Sequence, residues 1–141
     1  RHSFPYTTLF RSTPTYYVFD MYKVHQDAKK INVNFESPKY TLDGKSIPAV
    51  NISASIDTLG VTHITLVNLD ANKNIPLRIA LPGIVWKAVT GTILTSGAVT
   101  DINEFDKPIK VNIQSFAGAQ KEGAELVVTL PSKSIVSLEL K

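Results

Sequence analysis

The sequence predicts an all-β protein, an antiparallel β-sandwich of jelly-roll type, preceded by one α-helix. Three observations carry that prediction. From residue 31 onward, apolar residues alternate with polar ones in short runs, the period of half-buried strands. Clusters of Gly, Pro, Asn and Asp interrupt those runs about every 8–12 residues, the spacing of turns in an all-β domain. Helical periodicity is confined to residues 13–28, TPTYYVFDMYKVHQDA.

In that segment Thr13 is placed to cap the helix, its hydroxyl accepting from a first-turn N–H, and Pro14 suits the first helical position. Val18, Met21, Tyr22 and His25 follow an i, i+3, i+4, i+7 spacing and share a face. Tyr16, Tyr17 and Phe19 put large rings on the remaining sides of the same two turns, with only Asp20 and Lys23 between them. A helix apolar nearly all round is covered on more than one side. Either its own sandwich covers it, or it is wedged between that sandwich and a second body. One small sandwich rarely covers both faces, which favours the wedge.

The strands follow in order. Ile31, Val33 and Phe35 alternate with Asn32, Asn34 and Glu36, and Ser37-Pro38 ends the run. Asp43-Gly44 marks a loop or hairpin turn within residues 41–46. Val50, Ile52, Ala54 and Ile56 point one way against Asn51, Ser53, Ser55 and Asp57, and residues 61–69 form the antiparallel partner. Ile75, Leu77, Ile79 and Leu81 alternate again, and Pro76, which cannot donate to a ladder, places that strand at a sheet edge or turns its missing N–H outward. Residues 85–94 supply one or two strands around Gly91, and residues 95–107 are rich in turns. Ile109, Val111 and Ile113 alternate, a polar stretch spans residues 118–123, and residues 126–130 and 135–140 form a last hairpin around Pro131-Ser132-Lys133-Ser134.

The chain has 141 residues, 43% hydrophobic and 19% charged, enough for one domain with its own core. No apolar run approaches the ~20 residues of a membrane-spanning helix. Without cysteine there is neither a disulfide framework nor a thiolate metal site. Residues 1–12, RHSFPYTTLFRS, match no later strand, and Phe4 to Ser12 resemble the conceptual translation of a common sequencing adapter. They are set apart as a non-native scar, with the native chain expected to continue upstream. Removing Arg1 and Arg11 takes the net charge from +3 to +1 (3 − 2), which gives no basis for a nucleic-acid or membrane partner.

The candidate chemistry is sparse. His2 lies in the scar, His25 on the helix and His63 in a strand, without the spacing of a metal site or a triad. Asp101, Glu104 and Asp106 cluster in a loop, where short acidic side chains form turns; they lack the alternating spacing and Gly of a calcium loop. Trp86, the sole tryptophan, fits a core position or, on an exposed sheet, a sugar-stacking one. No catalytic residue, cofactor site or metal site is assigned. A free-standing carbohydrate-binding module and a structural or oligomerisation module both fit these residues.

The helix segment TPTYYVFDMYKVHQDA, then THITLVNLD (residues 62–70), NEFDKP (103–108) and LPSKSIVSLEL (130–140) occur in that order. Together they resemble the C-terminal portion of α-L-arabinofuranosidases of glycoside hydrolase family 51, over essentially all of residues 13–141. The resemblance implies that residues 13–28 are the last helix of a truncated (β/α)8 barrel and residues 29–141 its C-terminal β-sandwich. It implies a whole enzyme that releases terminal α-L-arabinofuranosyl groups from arabinan, arabinoxylan and related oligosaccharides with retention, in a family whose members are often intracellular (cytoplasmic rather than secreted or periplasmic) and homo-oligomeric. Retention uses two carboxyl groups about 5–5.5 Å apart. In the family these are glutamates at the ends of earlier barrel strands. Glu36, Glu104, Glu122, Glu125 and Glu139 therefore inherit no catalytic role, and the chain itself is expected to be inactive, its partner being the missing barrel.

Overall fold

The computed structural model describes residues 13–141; the segment set apart at residues 1–12, with His2, lies outside them. The helix α1 spans Pro14–Tyr22. Thr13 caps it as expected, its Oγ1 accepting from the Tyr16 N–H at 3.4 Å, and Pro14 occupies the first turn. It ends sooner than its periodicity suggests. A 3₁₀ turn, Lys23–His25, tightens the last stretch, and Asp27 takes a positive φ of 57° that turns the chain away.

Eleven strands are formed among the described residues, and every pairing is antiparallel. They are β1 (Lys29–Lys30), β2 (Lys39–Leu42), β3 (Lys45–Pro48), β4 (Val50–Ile56), β5 (Thr62–Asn68), β6 (Ile75–Ala80), β7 (Val89–Leu94), β8 (Ile113–Phe116), β9 (Ala119–Glu122), β10 (Glu125–Leu130) and β11 (Ser134–Leu140). A large sheet has the order β1-β4-β5-β11-β7-β8 and a small one β6-β10-β9, while β2 and β3 form a separate hairpin. Asp43 and Gly44, both at positive φ, make the hairpin turn that their identities predict.

The two sheets face each other across one core. Ile64 and Leu66 of β5 and Val136 and Leu138 of β11 meet Ile79 of β6 and Leu126, Val128 and Leu130 of β10. The small sheet shows the clean alternation of a sheet solvated on one side, and Pro76 does sit on its edge strand. Strand β5 is different: residues 62–66 are buried on both faces, with His25 of the 3₁₀ turn lying over Thr65 on the far side.

Three sequence expectations need correction. Residues 31–36 alternate in burial as predicted but are not a sheet strand. They cross from one sheet to the other, the Ile31 N–H donating to Ala54 and Asn34 bridging Ala80, so the backbone pairs briefly with each. Residues 126–130 and 135–140 are not a hairpin: β10 pairs with β6 and β9, and β11 with β5 and β7. Pro131–Lys133 is an arch between sheets, and the polar stretch at 118–123 supplies the true hairpin partner, β9. Periodicity gives the buried face of a strand and not its neighbour. Finally, β8 starts only at Ile113. The Asn103 side chain takes the place of a partner strand before it, accepting from the N–H groups of Lys110 and Val111 and donating to the Val111 carbonyl.

Candidate domain-docking face

The outer face of the large sheet is built from residues that the registers align into rows. One row is apolar, running Val67, Ile135, Leu94 and Ile113 across β5, β11, β7 and β8. The next is hydroxylic across β4, β5, β11, β7 and β8: Ser53, Thr65, Ser137, Thr92 and Ser115. The start of α1 lies over the apolar row, where Met21 is buried and Tyr17 and Val18 pack with Leu94, Val111, Ile113 and Ile135. Its end meets the hydroxyls.

His25 makes that second contact. Its Nδ1 lies 2.6 Å from Ser55 Oγ and its Nε2 2.8 Å from Thr65 Oγ1. A neutral imidazole donates through one nitrogen and accepts through the other, so both hydroxyls are satisfied. Burial, and then the charge of nearby His63, holds the His25 pKa below its ordinary value. His63 bonds Asp57 at 2.9 Å through Nε2. That contact, followed by the N–H groups of Val61 and Leu59, lowers the Asp57 carboxyl.

Ser, His and Asp are thus close together without forming a nucleophilic relay. The carboxylate orients His63 while the serine faces His25, and Ser55 is only 3% exposed. The arrangement fastens the helix end to the sheet.

The opposite side of α1 is open. Tyr16 is 56% and Phe19 74% exposed. A cleft of about 360 Å³ runs along one flank, between Pro14 and Val18 on the helix and Ala98, Val99 and Asp101 on the β7–β8 connection. Asp101 braces that wall. It accepts from Ser96 Oγ, from the Ala98 N–H at 3.0 Å and from Lys110 Nζ at 2.9 Å, which together bring its pKa down to about 2.

The acidic cluster at 101–106 is therefore scaffolding. Glu104 pairs with Lys107, and Asp106 turns the chain at φ 60°. Glu122 and Glu125 both bond Arg78, Glu139 pairs with Lys141, and Glu36 is exposed. Among the described residues no group of three or more His, Cys, Asp or Glu side chains could hold a metal ion. No helix there is long and apolar enough to cross a membrane. Trp86 is a core residue, buried in the main cluster with Lys121 Nζ 5.0 Å from its ring centroid, so it offers no face to a sugar.

The chain matches the sequence profile of the α-L-arabinofuranosidase C-terminal domain over residues 8–134. The chain belongs to this family. An intracellular exo-α-L-arabinofuranosidase from Bacteroides ovatus is 42% identical over 130 residues, 92% of this chain and 25% of that protein. The crystal structure of the family 51 arabinofuranosidase from Xanthomonas axonopodis pv. citri superimposes with a TM-score of 0.87 at 37% identity, over 92% of this chain and 26% of that one. A family 51 α-L-arabinofuranosidase from Bifidobacterium longum shares the fold, with a TM-score of 0.79 at 23% identity over 92% of this chain and 26% of its own. This arabinofuranosidase C-terminal domain thus spans about a quarter of the length of the relatives it matches.

The helix, its cap and its aromatic ring set were legible in the domain's sequence. Two asparagines that hold the structure together were not. Asn103 stood in a motif with no role attached, and Asn68 hid inside an apolar strand. The hydroxyl row was visible only as the polar half of several separate alternations.

Proposed function

We propose that this domain is the non-catalytic end of a retaining α-L-arabinofuranosidase, α1 being the last helix of a (β/α)8 barrel that precedes it in the whole enzyme. The observation that carries this is the two-sided helix: α1 is bonded to the sandwich on one side while Tyr16 and Phe19 stand uncovered on the other. The greater length of the relatives supports a preceding body. The whole enzyme would release terminal α-L-arabinofuranosyl groups from arabinose-containing polysaccharides and oligosaccharides and assemble as a homo-oligomer, with both catalytic carboxyl groups outside this chain. The sandwich contributes rigidity: it fixes the rotation and tilt of α1, and so the wall of the barrel.

The 141-residue chain should release no chromophore from 4-nitrophenyl α-L-arabinofuranoside, whereas a family 51 barrel joined to residues 13–141 should do so. Turnover by the isolated chain would overturn the proposal. So would a barrel that keeps full activity and solubility after its C-terminal domain is removed.

A further inference from the structure

The connection between β7 and β8, residues 95–112, is long for a segment without regular structure, and such loops serve functions or lack order. This one is tied down. Asn103 closes its second half through three bonds to the backbone of Lys110 and Val111, Asp101 secures its first half, and Val111 is buried beneath α1. Yet it holds Val99, Ile102, Phe105 and Ile109 out to solvent, Phe105 at 64% exposure. Ordered backbone that displays a row of large apolar side chains marks an interaction surface. Four of its five charges pair internally, Asp101 with Lys110 and Glu104 with Lys107, leaving only Asp106 to its net charge, so it offers little field to a charged polymer. Val99 faces Pro14 and Val18 across the cleft, placing the loop beside the open flank of α1.

We propose that residues 95–112 are a second docking element for the N-terminal body, so that the sandwich grips the barrel through the loop as well as through the helix. This rests on the reading of the domain given under Proposed function. The occupant follows from geometry. The relatives are about four times as long, their matching part is a C-terminal domain, and the chain enters α1 at Pro14, which lines the cleft. A body tethered there meets the loop at high effective concentration, ahead of any free partner.

The test joins the N-terminal three-quarters of the Bacteroides ovatus enzyme to residues 13–141 and compares amide hydrogen exchange with that of the isolated chain. Amides of both α1 and residues 95–112 should slow by about tenfold or more in the joined protein. Ile102→Asp with Phe105→Asp should restore fast exchange in the loop while α1 stays protected; Leu59→Asp, on the β4–β5 turn, should change neither. Protection of α1 without protection of the loop overturns the inference and leaves the functional reading standing. Loss of both overturns the two together. A dimer of the isolated chain in sedimentation, dissociated by Phe105→Asp, would assign the loop to a second copy and overturn the inference. Loop-dependent retention on arabinan would assign it to sugar, with the same result.

Discussion

His25 and Thr65, forty positions apart, meet at 2.8 Å between Nε2 and Oγ1. With the Ser55 contact, this is the polar half of the seam that holds α1 to the large sheet. His25→Ala leaves the Ser55 and Thr65 hydroxyls, both buried, without that partner. Unsatisfied buried groups cost about 1–3 kcal/mol, and urea denaturation should show a loss of that order. Because the folded pKa of His25 is depressed, its contribution is complete above the unfolded value of about 6.5 and is lost as pH falls through the folded value. Stability should therefore decline on acidification through the imidazole range, and His25→Gln should flatten that slope.

Asp101 gives a separate acid signature. Its folded pKa of about 2 lies below the ordinary 3.8, so its contribution is present above about 4 and disappears as pH falls through about 2. Asp101→Asn should remove that part of the acid dependence. The amides of residues 96–101 should then exchange faster, as followed by mass spectrometry.

Asn68 ties the sheets together from inside β5. Its Nδ2 donates to the carbonyls of Lys73, Leu130 and Pro131, one hydrogen being shared, and its Oδ1 accepts from the Asp70 N–H. Asn68→Ala strands the buried Leu130 carbonyl and the part-buried ones of Lys73 and Pro131, and unpins the β10–β11 arch. A loss of about 2–3 kcal/mol is expected, read as a lower denaturation midpoint at unchanged slope.

Gly91 is required by what lies over it. A Cβ there would sit 2.8 Å from Leu138 Cδ2 and 3.1 Å from Phe116 Cδ1, with the Phe116 carbonyl at 3.2 Å. Gly91→Ala should destabilise by about 1–3 kcal/mol through overpacking. Pairing it with Leu138→Ala should cost less than the sum of the two, because the truncation opens the space the methyl needs.

Much of this fold was legible because strand faces are written at period two. The faces of β4 and β6, the Asp43-Gly44 turn and the Thr13-Pro14 cap all follow from local rules. What escaped was non-local. β10 and β11 each display one apolar face, and either a hairpin or an arch buries both faces. Residues 31–36 have the right alternation for a strand but spend their backbone on two different sheets. The clamp made by Asn103 depends on a backbone seven positions further on, and no periodic pattern encodes it. The candidate docking face was half legible: the rings of α1 announced an uncovered side, whereas Phe105 fell in a turn-rich span and Ile109 read as part of a strand until the Asn103 clamp was seen.

Of the eleven strands described, the last in sequence lies inside the large sheet. β11 fills the slot between β5 and β7, and 66 positions (134 − 68) separate its first residue from the end of β5. At translation rates of about 5–20 residues per second, β5 emerges roughly 3–13 s before the neighbour it needs. Until β11 inserts, β4-β5 and β7-β8 are two ribbons with bare inner edges, and the helix has only half a platform. Each ribosome therefore carries the helix without its full foundation until β11 arrives, and a chaperone that shields β5 during that interval would cover its bare edge.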